Sequence, residues 1–377
     1  MSDPSPSPHR WGAGASYAGD APLFSVVVPT WAGSREWLHQ CLEGIRAQRT
    51  HVPEVLVVFD GPAPDAQETT RRILPAARHL PFRDQRGFAA SASAGLRAAR
   101  GRLIGLVNDD AVPQPDWLEA MADAAARHPN VGSFASRVLR ADDPSVLDSA
   151  GHGLTRWGEP FALGHGRPDG PPFHEERAVF GAPACAAVYR WELIRDCGTF
   201  DPAFEAYLED VDLSLRAQAL GFSCLYVPSA RVFHRGSASY GWGGGDGRAE
   251  RLIARNRVRL LLKSMPRNTL RAALLPAVVS MLAETAIRVA TGRNGAATVT
   301  GTIEGLRDAR AALGARGAAL GGRRVDDATL DRVLRDAEQH LQELGAGSGA
   351  RTLRMRLAER LARRVDRREE ALAASPW

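Results

Sequence analysis

Two acidic clusters in this chain have the residue types and the positions of catalytic groups. The first is Asn108-Asp109-Asp110, which directly follows the apolar run Leu103–Val107. Two carboxylates at the end of a buried strand offer the hard oxygen ligands that Mg²⁺ or Mn²⁺ prefers beside a diphosphate. Asp and Asn are also common in turns, so the triplet by itself is more typical of an ordinary loop.

The second cluster is Glu209-Asp210-Val211-Asp212, at the start of a helical pattern that places Leu208, Val211 and Leu215 on one buried side. Acids at a helix start also stabilise the helix dipole by about 0.3 to 1 kcal/mol, which explains acids without catalysis. His234 follows an apolar run further on. A single histidine is more often structural, so a functional role for it depends on the acidic clusters lying beside it.

Strand and helix patterns alternate through residues 24–107, which predicts a parallel sheet with flanking helices. The predicted strands are 24–28, 55–59, 78–82 and 103–107, and the predicted helices are 35–48, 65–74 with Asp65 as N-cap, and 88–99. Ligands bind beyond the carboxyl ends of parallel strands. Pro29-Thr30, Asp60 and Asn108 to Asp110 all lie there, so we expect them at one edge of the sheet.

The pattern changes beyond residue 131. Residues 141–176 are rich in Gly, Pro, Asp and His and are expected to form loops that face a substrate. Residues 236–247, with Tyr240 and Trp242 among glycines, have the composition of a flap. The remaining predicted strands are 134–139, 178–189 with a break at 181–183, and 223–227; the remaining predicted helices are 191–196, 204–220, 249–263, 270–290, 326–344 and 351–372.

The composition is that of a globular protein with one large domain and an appendage. The chain has 377 residues, 44% of them hydrophobic. Its four cysteines form no C-x-x-C pair, which argues against a disulfide scaffold or a zinc module. Residues 1–22 lack the basic start and apolar stretch of a signal peptide, so we expect a flexible leader and a cytoplasmic location.

Charge is distributed unevenly along the chain. Residues 246–377 contain 25 basic and 15 acidic residues, a net +10, whereas residues 1–245 carry a net −5. The uncharged run 272–283 has 12 residues, fewer than the roughly 20 that span a bilayer. The basic helices within 249–290 therefore fit two arrangements: peripheral contact with the inner face of the cell membrane, or packing on the catalytic domain or in a homo-oligomer.

Several classes of protein are excluded or made distant by these observations. A P-loop is excluded because Lys263, the sole lysine, lacks the flanking glycines. No G-x-G-x-x-G follows the first strand, which argues against a dinucleotide-binding oxidoreductase. A nuclease that uses Asp109, Asp110 and Asp210 around two metal ions, with the basic C-terminal part on nucleic acid, remains a distant alternative.

Seven segments, taken in order, resemble the family 2 glycosyltransferases, in particular their rhamnosyltransferase-like branch. The segments are FSVVVPT, VLVVFDG, RGFAASASAGLRAARG, LIGLVNDDAVPQPDWL, FGAPACAAVYRWELIRDCGTFDPAF, YLEDVDLSLRAQALGF and YVPSARVFH. The resemblance covers about residues 23–240 and implies a GT-A fold: α/β, with a mostly parallel sheet and flanking helices. The domains would be a leader (1–22), the catalytic domain (23–247) and a basic, mainly helical extension (248–377).

The resemblance also implies a role for each matching residue. Asp210 would be the general base and Glu209 would orient the acceptor. The donor site would consist of Pro29, Thr30, Asp60 near the base, Gly87, Asn108 and Asp109 near the ribose. A divalent ion, Mn²⁺ or Mg²⁺, would bind Asp110 and His234, and Gly181, Ala182 and Trp242 would line the acceptor side.

The activity implied by the resemblance is inverting transfer of a sugar from a dTDP- or UDP-sugar, rhamnose first among the candidates. The acceptor would be a hydroxyl of a glycan, a lipid-linked glycan or a natural product, and nucleic acid is not an expected partner. The chain departs from the family pattern in two places. Trp31-Ala32-Gly33 stands where the family commonly has an aromatic-Asn pair, and Ser93 stands where it often has Asn. The nearer alternative is a non-catalytic scaffold in glycan assembly that keeps the fold.

Overall fold

A ten-stranded sheet forms the centre of the protein. The computed structural model describes residues 22–31, 34–50, 53–236 and 246–344. The strands are β1 (Phe24–Thr30), β2 (Glu54–Phe59), β3 (Arg78–Pro81), β4 (Leu103–Val107), β5 (Ala111–Pro113), β6 (Val131–Arg140), β7 (Leu147–Ser149), β8 (His152–Leu154), β9 (Pro160–Ala162), β10 (Arg177–Val179), β11 (Ala186–Arg190) and β12 (Ser223–His234). Strands β8 and β9 form a separate hairpin.

Helices cover the sheet and continue beyond it. They are α1 (Arg35–Arg46), α2 (Pro64–Ile73), α3 (Phe88–Ala98), α4 (Trp117–Arg127), α5 (Trp191–Cys197), α6 (Glu209–Ala219), α7 (Arg248–Ser264), α8 (Arg267–Ala290), α9 (Gly295–Arg307), α10 (Ala309–Leu320) and α11 (Asp327–Leu344). Two apolar clusters, each containing alternate side chains of the central strands, fill the two faces of the sheet. This arrangement confirms the predicted α/β class with a largely parallel sheet and C-terminal helices.

The parallel part of the sheet has the order β4-β1-β2-β3. Val27 of β1 pairs with Leu56 on one side and Leu106 on the other, which aligns the three strands. Their apolar runs are buried on both faces, as expected of parallel strands between helices. The carboxyl ends of β1, β2 and β4 therefore lie at one edge, which confirms the predicted placement of Thr30, Asp60 and Asn108.

The other part of the sheet is mixed and brings distant residues to the same edge. β11 runs antiparallel between β4 and β6, and β12 runs parallel to β6. The end of β12 also pairs with β5, with His234 opposite Ala111. Since Ala111 follows Asp110 directly, this pairing carries His234 to the first acidic cluster.

Four predictions of local structure need correction. Helix α2 begins at Pro64, so Asp65 lies inside it and is not the N-cap. Helix α6 begins at Glu209, not at residue 204, because positive φ angles at Tyr207 and Leu208 prevent an earlier start. β12 continues to His234 across a register shift. The loops predicted over 141–176 contain β7, β8 and β9.

Helices α4, α9 and α10 are absent from the sequence prediction. Helix α9 contains Gly295, Gly301 and Gly305, and glycine is a poor helix former, so the segment carries no clear helical signal. The structure gives them a different use: a Cβ at Gly301 would collide with the backbone of Arg251, and one at Gly305 would lie 2.7 Å from the carbonyl oxygen of Arg255. These glycines allow α9 to pack closely on α7.

Candidate active site

The first acidic cluster is bound to the end of β1. The hydroxyl of Thr30 donates a hydrogen bond of 2.6 Å to Oδ2 of Asp109, and both side chains are buried. Burial raises the pKa of Asp109 to about 7, against the lowering effect of the Thr30 hydrogen bond and with a further rise from the neighbouring Asp110. Burial and the neighbouring Asp110 thus both disfavour the charged form of Asp109, as expected of buried carboxyls placed side by side.

Asp60 holds the turn that precedes α3. Its two carboxylate oxygens accept hydrogen bonds from the backbone N–H groups of Arg86 (2.7 Å) and Gly87 (3.0 Å). Gly87 has a φ of +87°, and a Cβ there would lie 2.9 Å from the backbone oxygen of Glu205. Glycine is therefore required at this position both by the backbone angle and by the close approach of a second loop.

His234 lies between two carboxylates. Its Nδ1 is 2.7 Å from Oδ2 of Asp148, and its Nε2 is 3.3 Å from Oδ1 of Asp110. Burial alone would lower the pKa of His234, but Cys185, Asp110 and Asp148 outweigh it and raise that pKa well above its usual range. Burial likewise opposes a charge on Asp148, but hydrogen bonds from His165 and His234 hold its pKa well below the ordinary value.

Asp110 and His234 have the chemistry of a divalent-cation site completed by a substrate. Oδ1 of Asp110 is buried and accepts no hydrogen bond within the described residues. Across those same residues, no group of three or more His, Cys, Asp or Glu side chains is arranged to hold a metal ion. Mg²⁺ is commonly bound by one or two carboxylates together with substrate phosphates, so the Asp110 carboxylate fits this class of ion; the His234 ring would be a ligand only in its neutral form.

The second acidic cluster reaches the same edge through a short backbone bridge. The N–H of Asn108 donates to the carbonyl of Cys185 (2.9 Å), and the N–H of the adjacent Ala184 donates to Oδ2 of Asp210 (3.0 Å). Burial raises the pKa of the Cys185 thiol to about 12, and His234, Asp148, Asp110 and Asp210 all act on it electrostatically. Both acidic clusters and His234 therefore lie close enough to Cys185 to act on it electrostatically.

The side chains of Asp210 and Glu209 are in different environments. Asp210 is partly exposed and its carboxylate accepts two backbone hydrogen bonds, from Ala184 and from Val211 (2.8 Å). Glu209 is buried, and burial together with the nearby Asp210 raises its pKa well above the usual value. Burial therefore disfavours the charged form of Glu209, whereas the partly exposed carboxylate of Asp210 is the better placed of the two to act as a base.

A buried histidine stands behind Asp210. His152 on β8 places Nδ1 3.7 Å from Oδ2 of Asp210 and Nε2 3.0 Å from the hydroxyl of Ser214. Burial lowers the pKa of His152, so this ring is neutral at pH 7. Gly181 exchanges two backbone hydrogen bonds with His152, and a Cβ on Gly181 would collide with both the histidine and Ser214.

The turn before Asp210 is fixed by a residue far away in the sequence. Positive φ angles at Glu205, Tyr207 and Leu208 turn the chain sharply into α6. Such angles cost about 1 to 3 kcal/mol each and persist only where the surroundings impose them. The amide of Asn256, fully buried on α7, donates to the carbonyls of residues 204, 206 and 207, each at 2.8 Å.

A buried ionic cluster holds α6 itself. Lys263 places Nζ 2.9 Å from both carboxylate oxygens of Asp212, and Ser264 and Arg216 complete the partners of that carboxylate. Burial would raise the pKa of Asp212, but Arg216 and Lys263 outweigh it and keep the pKa below its ordinary value. Asp212, predicted only as part of an acidic cluster, is thus a structural anchor, while Asp210 faces the site.

The structure brings most of the predicted site residues together. Those near one edge of the sheet are Pro29, Thr30, Asp60, Gly87, Asn108, Asp109, Asp110, Asp210 and His234. Gly181 and Ala182 are buried, with Gly181 against His152. Trp242 lies outside the described residues. The roles of these residues toward donor and acceptor stay predictions.

Three residues of the site were not found from the sequence. Asp148 and His152 lie in the Asp- and His-rich stretch expected to face the substrate, so composition pointed to the segment but not to the residues. Ala184 acts through its backbone N–H, which no side-chain pattern can show. Only the pairing of β11 with β4 places it beside the acidic triplet.

Two solved structures resemble this chain at low sequence identity and with TM-scores below 0.5. TarS from S. aureus, residues 1–349, is 16% identical, with a TM-score of 0.48 over 84% of this chain and 91% of that one. The mannosyltransferase PcManGT from Pyrobaculum calidifontis, solved with GDP-Man and Mn²⁺, is 19% identical, with a TM-score of 0.45 over 86% of this chain and 88% of that one.

Relatives by sequence cover little more than half of this chain. The uncharacterized protein y4gI of Sinorhizobium fredii is 29% identical over 58% of this chain, which spans only 25% of that protein. The N-acetylglucosaminyl-diphospho-decaprenol L-rhamnosyltransferase of Mycobacterium tuberculosis is 28% identical over 58% of this chain and 78% of its own length. The amylovoran biosynthesis glycosyltransferase AmsE of Erwinia amylovora is 24% identical over 55% and 73%.

Two family models match consecutive parts of the chain. The model described as glycosyl transferase family 2 matches residues 25–188, and the model described as glycosyl transferase family group 2 matches residues 173–291. Together the matches run from β1 to the end of α8 and include both acidic clusters and His234. The chain belongs to the family 2 glycosyltransferases.

Proposed function

We propose that the protein transfers a sugar, with inversion, from a nucleotide-diphosphate donor to an acceptor hydroxyl. The observation that carries this proposal is the bridge from β4 through Cys185 and Ala184 to the carboxylate of Asp210. This bridge joins a partly exposed carboxylate to the edge of the sheet where α/β proteins bind nucleotides. Single-displacement transfer requires a base that lies close to the donor site.

The reaction then takes place in one step. Asp210 removes the proton of the acceptor hydroxyl while the acceptor oxygen attacks the anomeric carbon. The bond from that carbon to the diphosphate oxygen breaks, and its electron pair leaves with the nucleoside diphosphate. The two backbone N–H groups on the Asp210 carboxylate keep it oriented toward the acceptor and limit its reorganisation.

On the donor side, we propose that Asp109, hydrogen-bonded to Thr30, contacts the ribose and that Asp60 contacts the base. Asp110 and His234 would hold a divalent ion, Mn²⁺ or Mg²⁺, which when bound supplies positive charge to the leaving diphosphate. We propose a dTDP- or UDP-sugar as donor, with L-rhamnose first, because the similar mycobacterial protein is named as an L-rhamnosyltransferase. The same name favours a lipid-linked glycan over a free glycan or natural product as acceptor.

A donor-binding titration tests this proposal without knowledge of the acceptor. Calorimetry would compare dTDP-L-rhamnose, UDP-glucose and GDP-mannose, with and without Mn²⁺, on the wild type and on Asp110→Ala, Asp210→Asn and Asp123→Asn. Asp123 is an exposed acid on α4 and serves as the matched control. We expect one donor to bind with Mn²⁺, with affinity unchanged in Asp210→Asn and Asp123→Asn and at least tenfold weaker in Asp110→Ala.

Other results overturn particular parts of the proposal. If no nucleotide sugar binds, the non-catalytic scaffold becomes the better function. If Asp110→Ala binds as tightly as the wild type with Mn²⁺ present, the metal role of Asp110 is wrong. Tight, strongly salt-dependent binding of DNA or RNA would instead support the nuclease alternative.

A further inference from the structure

Exposed apolar side chains are concentrated on the C-terminal helices. Ten large hydrophobic residues are exposed in the described part of the chain, and nine of them lie on α8, α9 and α10. They are Leu274, Leu275, Val278, Leu282, Val289, Val299, Ile303, Leu306 and Leu313. Single exposed apolar residues are ordinary on a protein surface, but a concentration of this kind marks an interaction site. We call these nine residues the apolar surface.

The spacing on α8 gives this surface a continuous face. Leu274, Val278 and Leu282 follow one another at intervals of four residues, so they lie in a row along the helix. They are 50%, 51% and 65% exposed. On α9, Val299, Ile303 and Leu306 have the same kind of spacing and are also exposed. Each helix therefore presents one apolar face outward.

The opposite face of α8 is fastened to the rest of the protein. The hydroxyl of Ser280 donates to Glu159 (2.9 Å) and lies 3.0 Å from Nη2 of Arg257, while Arg257 also pairs with Glu284. By length and composition α8 is the one helix among the described residues that could cross a membrane. Crossing would bring these buried charges into the bilayer, so an orientation in the plane of the surface is the one its contacts allow.

The charges around the apolar surface favour an anionic partner. Within residues 267–313, five arginines are exposed and Asp308 is the one exposed acid. The five are Arg267, Arg271, Arg293, Arg307 and Arg310. The other two acids there, Glu284 and Glu304, are paired with arginines. A second copy of this chain packed face to face would set arginines against arginines, whereas anionic lipid headgroups complement them.

We propose that α8 and α9 dock on an anionic lipid bilayer, with the apolar surface at the acyl boundary and the five arginines at the headgroups. The sequence placed a membrane contact within residues 249–290. In the structure much of α7 is buried between α6 and α9, so the proposed contact lies further toward the C-terminus, on the helices that carry the apolar surface. This inference does not depend on the proposed function, since it concerns a different face of the protein.

Vesicle co-sedimentation of the full chain tests the proposal. Vesicles of equimolar phosphatidylglycerol and phosphatidylcholine would be compared with vesicles of phosphatidylcholine alone, at low and high salt. We expect binding to the anionic vesicles, at least tenfold weaker in Leu275→Gln/Val278→Gln/Leu282→Gln. At about 1 kcal/mol per arginine, Arg267→Gln/Arg271→Gln should bind about 30-fold more weakly.

The matched control is Arg71→Gln/Arg72→Gln, which removes two exposed arginines from α2 and should bind vesicles like the wild type. Circular dichroism of each variant would check folding, and glutamine keeps the helix propensity of leucine. Three results overturn the proposal: equal binding to neutral vesicles, no binding to either kind, or a dimer in sedimentation analysis that the apolar triple variant dissolves. The last would make a second copy the occupant of this surface.

Discussion

Lys263 offers the sharpest test of how the C-terminal helices support the candidate active site. Its Nζ lies 2.9 Å from both oxygens of Asp212 and 3.0 Å from Oδ2 of Asp201, and its side chain is 6% exposed. Lys263→Met keeps the length of the side chain and removes its charge. The carboxylate of Asp212, fully buried in the helix that begins with Glu209 and Asp210, then loses one of two cations that lie 2.9 Å from it, the other being Arg216.

Breaking one partner of a buried ion pair costs about 3 to 5 kcal/mol, because a buried charge is left uncompensated. Arg216 and Ser264 still contact Asp212 in the variant, so we expect the lower end, about 3 kcal/mol of unfolding free energy. Urea denaturation at pH 7 would measure it. Arg332→Met, an exposed cation on α11, is the control and should change stability by less than about 0.5 kcal/mol.

The pH dependence gives a second, independent readout of the same pair. The folded pKa of Asp212 lies below its unfolded value, so its contribution is present above that unfolded value and is lost as pH falls through the folded pKa. The difference between wild type and Lys263→Met should therefore shrink below about pH 4. Asp212→Asn should also cost less in the Lys263→Met background than in the wild type. A loss under about 1 kcal/mol at pH 7 would refute the reasoning.

Three further predictions concern the site itself. Asp210→Asn should lower kcat by about 10² to 10⁴ with donor affinity unchanged, whereas Glu209→Gln should lower it less than about tenfold, since burial and the nearby Asp210 disfavour a negative charge on Glu209; transfer assays would compare them. Gly87→Ala should lower the free energy of unfolding by more than about 1 kcal/mol, measured in urea, because of its positive φ. Asp148→Asn should weaken Mn²⁺ binding about 10- to 100-fold, measured by calorimetry, because it removes the carboxylate that orients His234.

Each of these predictions has a result that contradicts it. Wild-type kcat in Asp210→Asn would show that Asp210 is not the base, and a loss in Glu209→Gln as large as in Asp210→Asn would contradict the separate roles of the two carboxyls. Wild-type stability of Gly87→Ala would mean that the turn held by Asp60 relaxes at little cost. For Asp148→Asn the control is Glu176→Gln, whose carboxylate contacts His128 away from the site. Unchanged Mn²⁺ affinity in the Asp148 variant would remove it as a positioning residue.

The proposed donor side of the site was predictable from the sequence because local signals determine it. The apolar runs that form β1, β2 and β4 are short and end at polar residues, and parallel strands bring those ends to one edge. The position of Thr30, Asp60 and Asp109 at one edge of the sheet can therefore be predicted without information about long-range packing. Even so, the sequence did not reveal that Asp60 binds the turn before α3 rather than standing free.

The contacts that hold Asp210 and His234 in place could not be predicted because they join residues that are far apart in the chain. Nothing in the residues around Asn256 indicates that its amide would meet the carbonyls of residues 204, 206 and 207. Asp148 is one acid among several in a loop-like stretch, and only the long β12 places His234 against it. The start of α6 was likewise missed because positive φ angles at non-glycine residues have no clear sequence signal.

In the C-terminal part of the chain, which carries the net positive charge, arginine and lysine side chains have two separate uses. On α7, Lys263, Arg259 and Arg255 pair with acids of the preceding part of the chain, Asp212, Asp201 and Glu205. These pairs hold the segment that leads into Asp210. Helix α7 therefore supports the candidate active site, although it lies in the positively charged part of the chain. On α8 to α10 the arginines are mostly exposed and surround apolar side chains. The same excess of positive charge thus stabilises the catalytic helix from within and leaves the outer helices able to attract an anionic surface.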